Sequence, residues 1–263
     1  MDLGLKDRVA IVAAASQGLG KAAALSLARE GTRLALCART ESTLQETAQG
    51  IRDETGAEVF VQTCDVSRPD QIDGFVSAVA SHYGNRIDIL VNNAGGPPAG
   101  NYEDVSLDKW REGFERTFLS VVHFSRQVIP YMKERKWGRI LTITSSSARQ
   151  PIDGLVVSNA LRPGLLGLTK TMARELAPHN ILVINIAPGM FHTRRHEELL
   201  ESMAKSQGRT VEQVFEDRVR DIPLGRMGDP AEHADVITFL ASERASYITG
   251  TTVVVDGGLI RGV

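Results

Sequence analysis

Seven short runs of apolar and β-branched residues punctuate the chain: VAIVAA (9–14), RLALCA (33–38), EVFVQTC (58–64), DILVN (88–92), RILTIT (139–144), ILVINIA (181–187) and TVVVD (252–256). Such brief runs, largely apolar on both alternating faces, predict buried strands. Between them, helical spacing runs over 18–30, 42–55, 69–83, 106–135, 155–177 and 230–242. This βαβα rhythm predicts an α/β fold: a doubly wound parallel sheet of seven strands, helices on both faces and right-handed crossovers. Ligands of such a sheet lie beyond the carboxyl ends of its strands.

One segment departs from the rhythm. Residues 190–229 are densely charged and follow the sixth strand, where an insertion predicts either a helical lid over a site or a solvated surface excursion. No linker or repeat breaks the rest, so 1–263 reads as a single domain with 190–229 as its candidate substrate lid. With 30 basic and 32 acidic residues, the chain has no electrostatic footprint for nucleic acid or an anionic membrane. Small molecules and copies of itself are the expected partners. The amino-terminal MDLGLKD carries no basic leader and no long apolar segment, which predicts a soluble cytoplasmic protein. Cys37 and Cys64, each inside an apolar run, read as buried reduced thiols. No cysteine/histidine cluster has metal-ligand spacing, so no catalytic metal is expected.

The first strand feeds AAASQGLG (13–20), and a helix follows at once. Alone, GLG marks only a tight turn. Placed there, Gly18 and Gly20 let backbone approach a pyrophosphate whose charge would sit at the helix N-terminus. The second strand ends in Ala38 and Arg39 rather than an acid. An acid would grip a ribose 2′-hydroxyl, whereas arginine can pair with a 2′-phosphate, so NADP(H) is preferred and NAD(H) is the alternative.

AAASQGLG, CDVS (64–67), NNAG (92–95), the hydroxyl run TSSSA (144–148), IAPGMFHT (186–193) and YITGTTVVVDGG (247–258) occur in order along nearly the whole chain. The set resembles the short-chain dehydrogenase/reductase family, especially its 3-oxoacyl-(acyl-carrier-protein) reductase-like subgroup. The resemblance implies a Rossmann-like fold and a homotetramer. It also implies that Ser16, Gln17 and Leu19 line the phosphate loop, Asp65 and Val66 frame the adenine, and Asn92 and Ala94 pass beneath the adenosine ribose. Pro188, Gly189 and Thr193 would hold the nicotinamide end. Where the family's loop opens with glycine, this chain has Ala14.

Members of the family transfer a hydride between nicotinamide and a carbonyl or alcohol. Their proton passes through a tyrosine whose pKa is lowered by a lysine four residues on, a serine holds the substrate oxygen, and an asparagine supports a water relay. Ser145 matches the serine. Ser158 stands in the tyrosine's place, Arg162 in the lysine's and Thr117 in the asparagine's. A serine hydroxyl is a far weaker acid than a phenol, and a guanidinium does not exchange protons near neutrality; Arg162 is expected instead to bind ribose hydroxyls of the cofactor or to stabilise a developing alkoxide. Pro163 removes a helix donor and biases Arg162 away from helical angles, which predicts a kink, or a regular helix that begins only at Pro163. His192, Tyr102 or a water held by Ser145 and Ser158 are substitute proton donors, while Asp153 reads as a turn residue. GGPPAGNYED (95–104) is expected to form one pocket wall. The stripe Trp110, Phe114, Phe118 and Val121 is either core or an interface between copies. Two readings remain: an NADP(H)-dependent oxidoreductase with an altered proton path, or a nucleotide-binding relative with little or no catalysis, acting as a sensor or subunit.

Overall fold

The computed structural model describes residues 1–262. Its seven strands are β1 (Val9–Val12), β2 (Arg33–Ala38), β3 (Val59–Thr63), β4 (Ile89–Asn92), β5 (Gly138–Ile143), β6 (Ile181–Pro188) and β7 (Thr251–Val255). They form one parallel sheet in the order β3-β2-β1-β4-β5-β6-β7. Alternate residues of each strand enter opposite cores, which is why the strands read as continuous apolar runs. Ala10 and Val12 pack on one side with Leu27 of α1 (Gly18–Arg29), Leu44 of α2 (Glu41–Thr55) and Ile237 of α9 (Pro230–Ala241). Val9 and Ile11 face the other side, with Phe75 of α3 (Pro69–His82), Phe124 of α5 (Ser120–Arg135) and Leu176 of α6 (Val156–Leu176).

The expected strand over 9–14 stops at Val12 because the backbone then divides between two neighbours. Ala13 N–H donates to Val91 of β4 (3.1 Å) and Ala15 N–H to Cys37 of β2 (3.0 Å). Ala14, between them, takes a φ of +47°, a left-handed conformation that its methyl group disfavours.

The expected helix over 106–135 is continuous but not uniform. After α4 (Leu107–Phe114), residues Glu115–Leu119 form a π-helical turn before α5 begins. Inside that turn the Thr117 hydroxyl donates back to Gly113 O (2.6 Å), the kind of side-chain competition that loosens a helical ladder. The aromatic stripe is divided accordingly. Val121 is buried, whereas Phe114 is 39 % exposed and stacks on Phe118 at 5.4 Å between ring centroids.

Pro163 does not behave as expected. It lies inside one continuous helix, α6, that begins seven residues earlier at Val156. The chain tolerates it because Asn159, whose carbonyl loses the usual donor, is anchored through its side chain instead. Asn159 Oδ1 accepts from Ile152 N–H (3.0 Å) and its Nδ2 donates to Ile152 O (2.9 Å). Ser158 and Arg162 therefore sit one helical turn apart on the same buried face.

The charged segment 190–229 carries two further helices, α7 (Arg194–Gln207) and α8 (Val211–Arg220). Leu200, Ala204 and Val214 make a small core between them, and Met190, Ile222 and Met227 make a second beneath. Thr193 caps α7, and Thr210 with Gln213 forms a capping box on α8.

Two backbone substitutions follow. Ala14→Gly relieves the left-handed alanine and should stabilise the chain by about 1 kcal/mol. Pro163→Ala restores a helical donor at an exposed position and should add about 1–3 kcal/mol. Both are read as a higher denaturation midpoint in guanidinium; an unmoved midpoint would mean that the surroundings, not these residues, carry the strain.

Candidate functional site

A groove of about 650 Å³ runs along the carboxyl rim of the sheet, across β1 and β4 where the strand order reverses. Its floor at one end is the β1–α1 loop. Helix α1 starts at Gly18 with no side-chain cap on Gln17 and no acid in its first turn. Its leading N–H groups, which have no intrahelical acceptors, make an anion site. Ser16, Gln17, Gly18 and Leu19 all line the groove, and Thr47 of α2 donates to Ser16 O (2.9 Å) to hold the loop in place.

The two glycines do different work. Gly18 adopts a φ of +58° and opens on the groove. Gly20 is buried and does not line it; a Cβ there would lie 2.6 Å from Asn93 Nδ2 and 2.7 Å from Ala14 O. The absence of a Cβ at Gly20 thus lets α1 pack closely on the β4 loop.

Toward β2 the groove is lined by Arg39, Thr40, Thr43, Asp65, Val66 and Arg116. Burial opposes ionisation of Asp65. The Ser67 N–H and hydroxyl, with Arg39 and Arg116 nearby, outweigh it and hold the carboxyl below its usual range. Arg116 itself pairs with Glu112, and Arg39 has no carboxylate within salt-bridge distance among the described residues. Ala94 lines the groove, but Asn92 does not. Asn92 is buried at the end of β4, reaching toward Ser125 and Thr142, and its neighbour Asn93 takes the groove wall while donating to Ala14 O (3.1 Å). The strand's period of two decides this: the residue that finishes the buried strand points inward, the next one out.

At the opposite end lie Pro188, Gly189 and Thr193 with Ser145, Leu155, Ser158 and Arg162. Gly189 permits β7's exit to pass close by, since a Cβ there would be 2.6 Å from that of Asp256. Thr193 caps α7 by accepting from His196 N–H (3.3 Å), which leaves its O–H to donate toward the groove. Of the expected wall over 95–104, Gly95, Gly96 and Pro97 line the groove, and the segment is stitched to the start of α6 where Gly100 pairs with Leu155.

Ser145 Oγ accepts from Ser147 N–H (3.1 Å), so its own proton faces outward unspent. Ser158, by contrast, shares a 2.8 Å hydrogen bond with Ser147 Oγ, a partner the sequence reading missed. Arg162 is 7 % exposed; its Nη1 donates to Ile143 O (3.2 Å), its Nε has no partner, and no carboxylate pairs with it. Burial, assisted by the charge of Arg195, lowers its pKa to about 10, which still leaves it cationic at neutrality. Thr117, with Asn92 and Arg162, lines a small cavity of about 10 Å³ that adjoins the groove and shares Asn93, Ala94, Ile143 and Arg162 with it. Tyr102 is 77 % exposed, and neither it, His192 nor Asp153 lines the groove. The sequence reading did not name Thr43, Asn93 or Arg116, nor, within the candidate lid 190–229, Arg194, Arg195, Glu198 and Leu199, all of which line the groove.

Among the described residues no group of three metal-ligating side chains gathers, and no helix is long and apolar enough to cross a membrane. A family model described as enoyl-(acyl carrier protein) reductase matches residues 13–260. Dehydrogenase/reductase SDR family member 4 of Oryctolagus cuniculus is 33% identical over 255 residues, covering 97% of this chain and 94% of that protein. The 3-oxoacyl-[acyl-carrier-protein] reductase of Vibrio cholerae is 34% identical over 257 residues, covering 98% and 99%. Among solved structures, L-sorbose reductase from Gluconobacter frateurii, complexed with NADPH and L-sorbose, superposes with a TM-score of 0.94 at 31% identity, with all of both chains covered. The ordered motifs, the sheet order and these matches have one consequence: the chain belongs to the short-chain dehydrogenase/reductase family of oxidoreductases, among its 3-oxoacyl-(acyl-carrier-protein) reductase-like members.

Proposed function

We propose that this protein is an NADP(H)-dependent oxidoreductase acting on a carbonyl or alcohol, with a proton path that does not use a phenol. One observation carries the reading: a single groove joins the uncapped start of α1 and the unpaired Arg39 to the Ser145–Arg162 end. Arg39 would hold the 2′-phosphate and the α1 N–H groups the pyrophosphate. Asp65 and Val66 would frame the adenine, and Pro188, Gly189 and Thr193 the nicotinamide. L-sorbose reductase, a full-length structural match, carries NADPH.

When bound, the cofactor supplies or accepts the hydride. The chain's own groups must then manage the charge left on the substrate oxygen. Ser145 has the unspent O–H and the groove-facing position to hold that oxygen. Arg162 supplies a fixed positive charge in a buried setting, where electrostatic stabilisation is strongest. Neither donates a proton readily at neutral pH, so the proton for the alkoxide comes from solvent. NAD(H) in place of NADP(H) would leave Arg39 without a partner. A second reading, nucleotide binding with little or no catalysis, draws on the Ser147–Ser158 bond, which occupies the hydroxyl at the proton-donor position. For assembly, a homotetramer would use the exposed ring of Phe114 and the outer edge of β7, where Val254 is 38 % exposed.

Titration with both coenzymes and a screen of ketones, acyl thioesters and alcohols tests the reading; NADPH binding without turnover on any of them would select the second. Arg39→Ala should weaken NADPH roughly ten- to a hundredfold while NADH changes little, and equal losses would remove the 2′-phosphate assignment. Ser145→Ala should depress kcat by roughly a hundredfold or more. Ser158→Ala should cost much less, because Ser158 Oγ already shares a hydrogen bond with Ser147 Oγ; the reverse order would transfer the substrate-holding role to Ser158.

A further inference from the structure

The groove is lined by five arginines, Arg39, Arg116, Arg162, Arg194 and Arg195, against two acids, Asp65 and Glu198. Most of this excess has an assigned counter-charge. Arg116 pairs with Glu112, Arg194 pairs with Glu198 at 3.2 Å, and Arg39 stands beside Asp65 where a 2′-phosphate would lie. Arg162 and Arg195 are left, and neither has a carboxylate partner among the described residues.

Arg162 is more than nine-tenths buried, with its Nε unpartnered. Buried guanidiniums are ordinarily paired, because an isolated charge in a dry setting is costly. Arg195 reaches from the first turn of α7 across to the β4 loop, where its Nη2 donates to Pro97 O (3.2 Å). Its guanidinium lies along Gly96: a Cβ there would be 3.1 Å from Nε and 3.3 Å from Nη2. The fork is thus braced against backbone that only glycine leaves open. Both guanidiniums line the same groove, and the charge of Arg195 adds to burial in lowering the pKa of Arg162. Residue 158, which also lines the groove, contributes only a hydroxymethyl there. Two unneutralised cations facing one space are an arrangement that an anion resolves.

Building on the oxidoreductase reading, we propose that the substrate carries a carboxylate beside its carbonyl, a keto acid, and that Arg195 and Arg162 bracket the two oxygen-bearing groups. Arg195 grips the carboxylate and Arg162, with Ser145, faces the reacting oxygen. Hydride from reduced nicotinamide adds to the carbonyl carbon, the C=O π pair moves to oxygen beside Arg162, and water supplies the proton. The carboxylate is unchanged, and NADPH is the reductant. The same guanidinium chemistry would also suit a cofactor phosphate. The substrate is the better source because the α1 N-terminus and Arg39 already match the phosphates, and because Arg195 is braced on the β4 loop opposite them.

The test uses the full chain saturated with NADPH and titrated calorimetrically with pyruvate, acetoacetate and levulinate, each against its methyl ester. At least one acid should bind about tenfold or more tightly than its ester, with a preference that shrinks as salt rises. Arg195→Gln should bring the ratio to within about threefold, and Gly96→Ala, which displaces the fork and keeps its charge, should lower it part of the way. Equal binding of acids and esters, or no binding of any acid, overturns the proposal. So does an Arg195→Gln protein that loses NADPH affinity yet keeps the acid preference, which would give Arg195 to the cofactor. Failure to bind NADPH at all overturns instead the oxidoreductase reading beneath it.

Discussion

The groove exists because β1 and β4 lie side by side while the chain leaves them on opposite faces of the sheet. That reversal separates α1 from the helices after β4 and opens a crevice at the carboxyl rim. The crevice stays usable only because its lip is held close and still. Asn93 ties the β4 loop to Ala14, Thr47 ties the β1 loop to α2, and Gly20 lets α1 come down onto both. The left-handed turn at Ala14 is the local cost of this closeness.

What lies at the two ends of the crevice differs in kind. At the α1 end the chain offers backbone N–H groups and a surface arginine, both suited to phosphate. At the α6 end it offers a hydroxyl and a buried guanidinium. A phenol beside an ammonium can move a proton; a hydroxymethyl beside a guanidinium can only hold charge. On the proposed reading the inner end serves electrostatics more than acid–base exchange, and the arginine contributed by α7 adds a further positive charge to the groove.

The fold was legible because it rests on local rules. Period-two burial marks each strand, helical spacing marks each crossover, and their alternation admits few topologies. The groove position of Arg39 was legible for the same reason, since it follows the second strand, whereas those of Ser145, Asp65, Ser16, Gln17 and Leu19 were reached through the family resemblance; all line the groove. Asn92 and Asn93 mark the limit of that legibility: adjacent and chemically identical, they divide into one buried residue and one groove residue on the phase of a pleat.

The sequence by itself determined the sheet, its crossovers and the chemistry available at 117, 145, 158 and 162, because residue type and periodicity are properties of short stretches. Only the tertiary structure decided which of that chemistry is spent. Ser147 shares a hydrogen bond with Ser158, Ile152 anchors Asn159 so that α6 runs through Pro163, and α7 folds back to set Arg195 on the β4 loop, lining the same groove as Arg162. Those outcomes depend on contacts between residues far apart in the chain, formed in directions that no run of neighbouring residues encodes.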